Sequence, residues 1–118
     1  MQMKNRIQID KEFLDNYIFR GLQNLNDGFD SSGIKYFSED DFGEVLKRIK
    51  QYGLGVLGIE PWKNGAFYQV KVYEDFTEDA TDSNWYMQAF QKFKEEKEGL
   101  LYAASYCIPG TLLKQCDL

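Results

Sequence analysis

Leu54-Gly55-Val56-Leu57-Gly58-Ile59, then Glu60-Pro61-Trp62-Lys63-Asn64-Gly65, then Ala66-Phe67-Tyr68-Gln69-Val70-Lys71-Val72-Tyr73-Glu74-Asp75-Phe76 is the stretch that decides the fold. Its first part is short and apolar and its last part is rich in Tyr, Phe and Val, as strands are. Asn64-Gly65 between them tolerates positive φ at both positions of a tight turn, so the spacing predicts an antiparallel hairpin over 54–76. Strand side chains alternate, which puts Tyr68, Val70 and Val72 on one face and Phe67, Gln69, Lys71, Tyr73 and Asp75 on the other, expected to look outward. Pro61 has no amide donor and is expected to break or border the first strand, leaving Trp62 at the end of the hairpin.

Helical patterns flank the hairpin. From Asp10 to about Asn26 the residues Phe13, Leu14, Tyr17, Ile18, Leu22 and Leu25 recur at steps of three and four, predicting a helix capped by Asp10 with an Ile9–Leu14 staple. Asn26-Asp27-Gly28 and Asp30-Ser31-Ser32-Gly33 supply its stop. Ser38, followed by Glu39, Asp40 and Asp41, opens a second helix with Phe42, Val45, Leu46, Ile49 and Tyr52 turned inward and Gly53 at its end. Trp85, Tyr86, Ala89, Phe90 and Phe93 mark a third, capped by Asp82 or Ser83 and running through Lys92–Glu98 to Gly99. Leu100–Ile108 reads as a third strand, ended by Pro109-Gly110. The order predicts an α+β fold in which about three helices cover one face of a small, mostly antiparallel sheet of about three strands.

A chain of 118 residues with 43% apolar, 28% charged and 16% aromatic residues fits one globular domain. The nine Phe, eight Tyr and two Trp exceed what a modest core needs, so some are expected at the surface as binding anchors. The net charge of −5 repels phosphate backbones and anionic bilayers, which argues against direct nucleic-acid or membrane binding. Met1-Gln2-Met3-Lys4-Asn5-Arg6 lacks the apolar core of a secretion signal and no run of roughly 18 apolar residues is present, so a cytosolic location is expected. Cys107 and Cys116 have no metal-ligand spacing. Reduced thiols are the expected state, with a disulfide left open.

The chain has no histidine. The usual general base, the Ser-His and Cys-His pairs and the commonest transition-metal ligand are therefore missing, although carboxylates, Lys or Tyr can replace them in some enzymes. Glu60 and Glu74 are a possible acid–base pair, or simply exposed strand charges; their separation decides which. Gly53-Leu54-Gly55-Val56-Leu57-Gly58 is glycine-rich but runs from helix to strand, the reverse of the order a nucleotide site needs. No cofactor or metal is implied.

Glu74-Asp75-Phe76-Thr77-Glu78-Asp79-Ala80-Thr81-Asp82 places five carboxylates and no base directly after the hairpin. Such a segment can be a solvated connection that starts the next helix, or a landing surface for Lys and Arg of a basic partner. A calcium loop is the third reading, but the Asp-x-Asp-x-Asp-Gly order is absent. Trp62, Phe67, Tyr73, Trp85 and Tyr86 are either interface anchors or core; Trp85 fits the core, whereas Trp62 and Tyr73 fit the surface.

The wording of Tyr36-Phe37-Ser38-Glu39-Asp40-Asp41-Phe42, Gly58-Ile59-Glu60-Pro61-Trp62-Lys63-Asn64-Gly65 and Tyr68-Gln69-Val70-Lys71-Val72-Tyr73-Glu74-Asp75 resembles bacterial immunity proteins of contact-dependent growth inhibition systems. The likeness covers roughly residues 36–106. It implies a cytosolic antidote that binds the toxic domain delivered by a neighbouring cell, often a ribonuclease, with no catalytic residue of its own. The expected contacts are Asp75, Glu78, Asp79 and Asp82, with Trp62 and Tyr73 as apolar anchors. Two rival expectations are a small carboxylate- and tyrosine-dependent hydrolase or transferase, and an adaptor for a basic peptide.

Overall fold

The computed structural model of the chain describes residues 5–109. The elements are α1 (Arg6–Phe13), a π-helical turn (Leu14–Ile18), α2 (Glu39–Tyr52), β1 (Gly55–Lys63), β2 (Ala66–Phe67), β3 (Lys71–Val72), α3 (Ser83–Glu96) and β4 (Leu101–Cys107). The architecture is α+β, and every strand pairing is antiparallel. The sheet counts four strands rather than three because the second arm of the hairpin is split. Cys107 is an exposed free thiol; Cys116 and Gly110 lie outside the described residues.

The first helix differs from the Asp10–Asn26 expectation. Asn5 caps it, accepting from the Gln8 amide at 2.9 Å while the Gln8 side chain accepts from the Asn5 amide, a reciprocal box that starts the helix one turn early. Asp10 sits inside α1 and accepts from Arg6 Nε at 2.8 Å. After Phe13 the turn widens, with the Phe19 amide bonding to the Leu14 carbonyl at 2.8 Å, and both Phe13 and Ile18 become buried. Leu22 and Leu25 lie beyond the helix in an irregular segment. Arg48 of α2 holds the end of this turn, donating to the carbonyls of Ile18 at 2.9 Å and Arg20 at 2.7 Å.

The second and third helices follow their local signals. Ser38 Oγ accepts from the Asp41 amide at 3.2 Å, and Gly53, at φ +70°, closes α2 in the left-handed region that favours glycine. Phe42, Val45, Leu46 and Ile49 are fully buried, but Tyr52 is exposed and packs edge-on against Phe13. Asp82 caps α3, which ends at Glu96, short of the predicted Glu98.

β1 is the middle strand and runs straight through Pro61. β4 pairs along one side of it from Gly55–Cys107 to Trp62–Leu101, so β2 and β3 lie on the other side. Tyr102 gives its own amide and carbonyl to Phe37, at 2.8 and 2.9 Å, which makes Pro61–Tyr102 a non-bonded pair and turns the donor-less Pro61 nitrogen towards the hairpin arm. There the arm is interrupted. Trp62 faces Phe67 and Ile59 faces Lys71, so Glu60 and Pro61 oppose the three residues Tyr68–Val70 in a bulge.

That extra residue reverses the predicted faces. Lys71, opposite buried Ile59, lies over the Phe93 ring at 4.8 Å on the helix side, whereas Val70 and Val72 turn to the helix-free side. Tyr68 still meets Phe93. Asn64 and Gly65, at φ +52° and +76°, form the primed turn that their sequence predicts.

The core lies between the sheet face carrying Val56, Ile59 and Tyr102 and the helices. The Tyr102 ring stacks on Phe42 at 5.1 Å and meets Phe90 edge-on at 5.1 Å. Its buried hydroxyl finds no hydrogen-bond partner among the described residues. Tyr102→Phe is therefore expected to leave stability unchanged or raise it by about 1 kcal/mol, since an unsatisfied polar group is removed with its shape kept. Tyr102→Ala should cost roughly 3–5 kcal/mol through the cavity it leaves; urea unfolding of both variants measures the contrast.

Candidate functional site

The acidic segment is fixed at its centre. The Ala80 carbonyl accepts from the Val56 amide at 3.0 Å, and Gly55 passes so close that an added Cβ would stand 3.2 Å from the Ala80 backbone. The Val56 carbonyl in turn accepts from the buried Trp85 indole at 3.1 Å. One residue of β1 thus ties the loop and α3 to the sheet where β3 no longer reaches.

On this support the carboxylates have different roles. Glu74, Asp75, Glu78 and Asp79 are exposed. Asp79 Oδ1 accepts from the Thr81 amide at 2.9 Å and from its hydroxyl at 2.7 Å, bonds that hold its carboxyl below the usual range. Asp82 is partly buried and caps α3 by accepting from the Asn84 amide at 3.0 Å.

Tyr73 stands in a short 3-10 turn at the base of the loop, half-buried against the core. Trp62 is elsewhere: it lies seven residues along β1 from Gly55, roughly 23 Å at the ordinary strand rise. Its ring is half-buried among Phe29 at 5.4 Å, Tyr36 at 5.6 Å and Phe67 at 6.4 Å. Trp85 and Tyr86 are core. The structure therefore gathers Tyr73, Asp75, Glu78, Asp79 and Asp82 at one end of the sheet and leaves Trp62 at the other.

Between the two ends a cavity of about 590 Å³ opens on the sheet face that carries no helix among the described residues, the helix-free face. Gly58, Ala103 and Ser105 form its floor, Leu57, Val70 and Val72 its apolar walls, and both Glu60 and Glu74 line it. The sequence singles out these two carboxylates by type but conceals the apolar walls, whose orientation depends on the bulge. Pro61 inside an otherwise regular strand pattern is the available signal. Ile34 reaches the same cavity from the segment that Asn26 organises, where the Asn26 side-chain amide donates to the Ser31 carbonyl at 2.8 Å and to the Ile34 carbonyl at 2.7 Å.

Glu60 is held in place. Its Oε2 accepts from Trp62 Nε1 at 2.8 Å and lies 3.4 Å from the Tyr36 hydroxyl, which donates to Asp30 at 2.5 Å. Burial, then the bond to Asp30 and the neighbouring negative charges, push the Tyr36 phenol far above its ordinary value, so it serves as a neutral donor. A carboxylate oriented in this way, beside apolar walls, is suited to receive a cation that carries an aliphatic stem.

A smaller groove of about 390 Å³ lies between α1 and β4, lined by Leu14, Phe19, Ile34 and Tyr106. Its charges are mixed, and Asp15 is paired with Lys35. Among the described residues no three Cys, Asp or Glu side chains are grouped to hold a metal ion, and no helix is long and apolar enough to cross a membrane.

The cap and the free acids can be separated. Asp82→Ala should cost about 1 kcal/mol of folding stability, the usual loss for an N-cap, whereas Asp75→Ala and Glu78→Ala should stay within roughly 0.5 kcal/mol. Chemical denaturation of the three variants checks this. Burial, then the charge of Asp82, also pushes the Tyr86 phenol up to about 12. The folded state holds that proton more tightly than the unfolded state does, so this contribution is intact below pH 10 and is lost as pH rises towards about 12. Phenolate absorbance and circular dichroism, recorded together through this range, should show Tyr86 ionising late and stability falling. No protein-family model, no curated protein and no solved structure matches this chain.

Proposed function

We propose that the chain is a cytosolic immunity protein that binds a cognate bacterial toxin domain, a ribonuclease by preference, and neutralises it by covering its basic active site or substrate surface. The observation that carries this reading is the set of exposed carboxylates on a loop pinned to β1, beside an apolar cavity that one of them, Glu74, lines together with Glu60. A nuclease concentrates Lys and Arg to hold phosphates, and fixed carboxylates can occupy those positions. The net charge of −5 speeds encounter with such a surface. The apolar patch around Leu57, Val70 and Tyr73 then supplies the short-range contact that slows release. The resemblance in the 36–42, 58–65 and 68–75 segments supports the same reading.

The proposed action needs no turnover. Tyr36, the hydroxyl nearest Glu60, is kept protonated by its surroundings and is a poor base.

The test uses the toxin domain that this proposal expects to be encoded immediately upstream of the chain's gene; the absence of one there would count against the proposal. Co-expression should restore growth, and the purified pair should form a complex without nuclease activity. Replacing Asp75 and Glu78 together by Lys should slow association about tenfold or more at low salt, with the difference shrinking near 0.5 M salt as screening removes the steering. Equal association rates at low salt would place the contact on another surface. Turnover of a metabolite by the purified chain, abolished by a single substitution, would overturn the inhibitor reading.

A further inference from the structure

We infer that the helix-free face of the sheet receives a cationic amphipathic helix from the partner, its apolar stripe over Leu57, Val70 and Val72 and its Lys or Arg residues on Glu60 and Glu74. The identity of the partner as a basic toxin domain rests on the function proposed above; the docking itself rests on the geometry of that face.

An antiparallel sheet that packs helices on one face commonly leaves the other to water, with polar side chains on it. Here, among the described residues, Phe29 and Tyr36 cover the Trp62 end of the second face, and apolar side chains crowd the remainder: Val70 is 47% exposed, Leu57 39% and Ile34 38%. Scattered apolar residues are ordinary on a surface, but these three line one cavity with Val72 and Tyr73. The floor of Gly58, Ala103 and Ser105 is made of small residues, which lets a rod approach the sheet closely. An extended segment would instead seek a sheet edge, where its backbone can be paired; an element lying across a face must satisfy its own backbone, as a helix does.

Charge selects the sign of the helix. Glu60 and Glu74 are the charged residues of the cavity lining, and both are acidic. Glu60 is fixed through Oε2 by Trp62, leaving Oε1 to an incoming donor. Val72 faces Gly58, and Glu74 follows it as the chain leaves the sheet, so the two carboxylates bracket the cavity lengthwise, roughly 13 Å apart at strand rise, a span that flexible Lys or Arg stems can cover. Cations seven residues apart on a helix are separated by about 10.5 Å and share a face with the apolar residues between them. The α1–β4 groove has no such bias, because two acids, Asp10 and Asp15, and two bases, Lys11 and Lys35, line it together.

The test takes the whole chain, labelled with ¹⁵N, and titrates it with two 14-residue Leu/Lys peptides. One is patterned as an amphipathic helix with lysines seven apart, and the other is a scramble of equal composition. The patterned peptide should shift the amides of Gly58, Val72, Ala103 and Ser105, and the scramble should not. The Val70→Lys/Glu74→Lys variant, altered only at exposed positions, should bind about tenfold or more weakly while keeping its circular dichroism and melting temperature. Gly58→Ala fills the floor without a clash, since its Cβ would lie 3.5 Å from Val72 Cγ1, and should also weaken the peptide.

Shifts confined to residues 74–82, shifts in the α1–β4 groove, or equal response to both peptides would overturn the inference. The same variant separates it from the inhibitor reading. Full neutralisation of the toxin by Val70→Lys/Glu74→Lys would sink the docking face and leave the inhibitor intact. Peptide docking by a chain that protects against no toxin would keep the face and remove the proposed partner.

Discussion

Pro61 has no amide hydrogen to donate, and the sheet is arranged around that lack. In the middle strand of a sheet a missing donor leaves a carbonyl opposite it unpaired unless the neighbouring strand gives way. On the β4 side nothing is lost, because Tyr102 directs both of its backbone groups to Phe37. On the hairpin side the arm gives way by one residue, and the Tyr68 amide finds the Pro61 carbonyl at 3.0 Å. A single imino acid is thus tolerated at a central position through a bulge on one flank and a non-bonded pair on the other.

The consequence reaches the surface. An alternation shifted by one residue carries Lys71 to the helix side, where its ammonium lies over the Phe93 ring and 4.0 Å from Glu96. It carries Val70 and Val72 to the opposite side, where they wall a cavity whose ends are acidic. Without the bulge, the valines would face the core and a lysine would face the cavity, cancelling its negative character. The apolar and acidic qualities of that face share one backbone cause.

Local signals in the sequence suffice where local chemistry decides. Ser38 and Gly53 bound α2, Asp82 starts α3, and Asn64-Gly65 turns the hairpin, because a cap or a primed turn is made within a few residues. The start of α1 is legible too, in Asn5 and Gln8, but Asp10 with its following apolar run competes with it. The π-helical turn is not legible: it brings Phe13 and Ile18 into a core whose other walls come from α2 and beyond. For the same reason Trp62 reads as a free surface ring in sequence yet is flanked by Phe29, which an Asn26-centred turn delivers from a distant part of the chain. Glu60 and Glu74 stand out as types; only the register of β1 with β3 reveals that one cavity joins them.

Binding by such a surface answers to salt more than to acidity. With no histidine in the chain, no side chain changes charge at its ordinary pKa between the carboxylate range and that of the thiols. Screening is the remaining lever, and it acts unevenly, since exposed loop charges at long range lose their pull within about a Debye length of 8 Å at physiological ionic strength. Glu60, oriented by an indole and flanked by apolar walls, would keep its attraction for a cation already seated beside it. On the proposed function, the loop would set the rate of encounter and the cavity the lifetime of the complex; the bulge and the Val56–Ala80 bond bring these two surfaces side by side on one sheet.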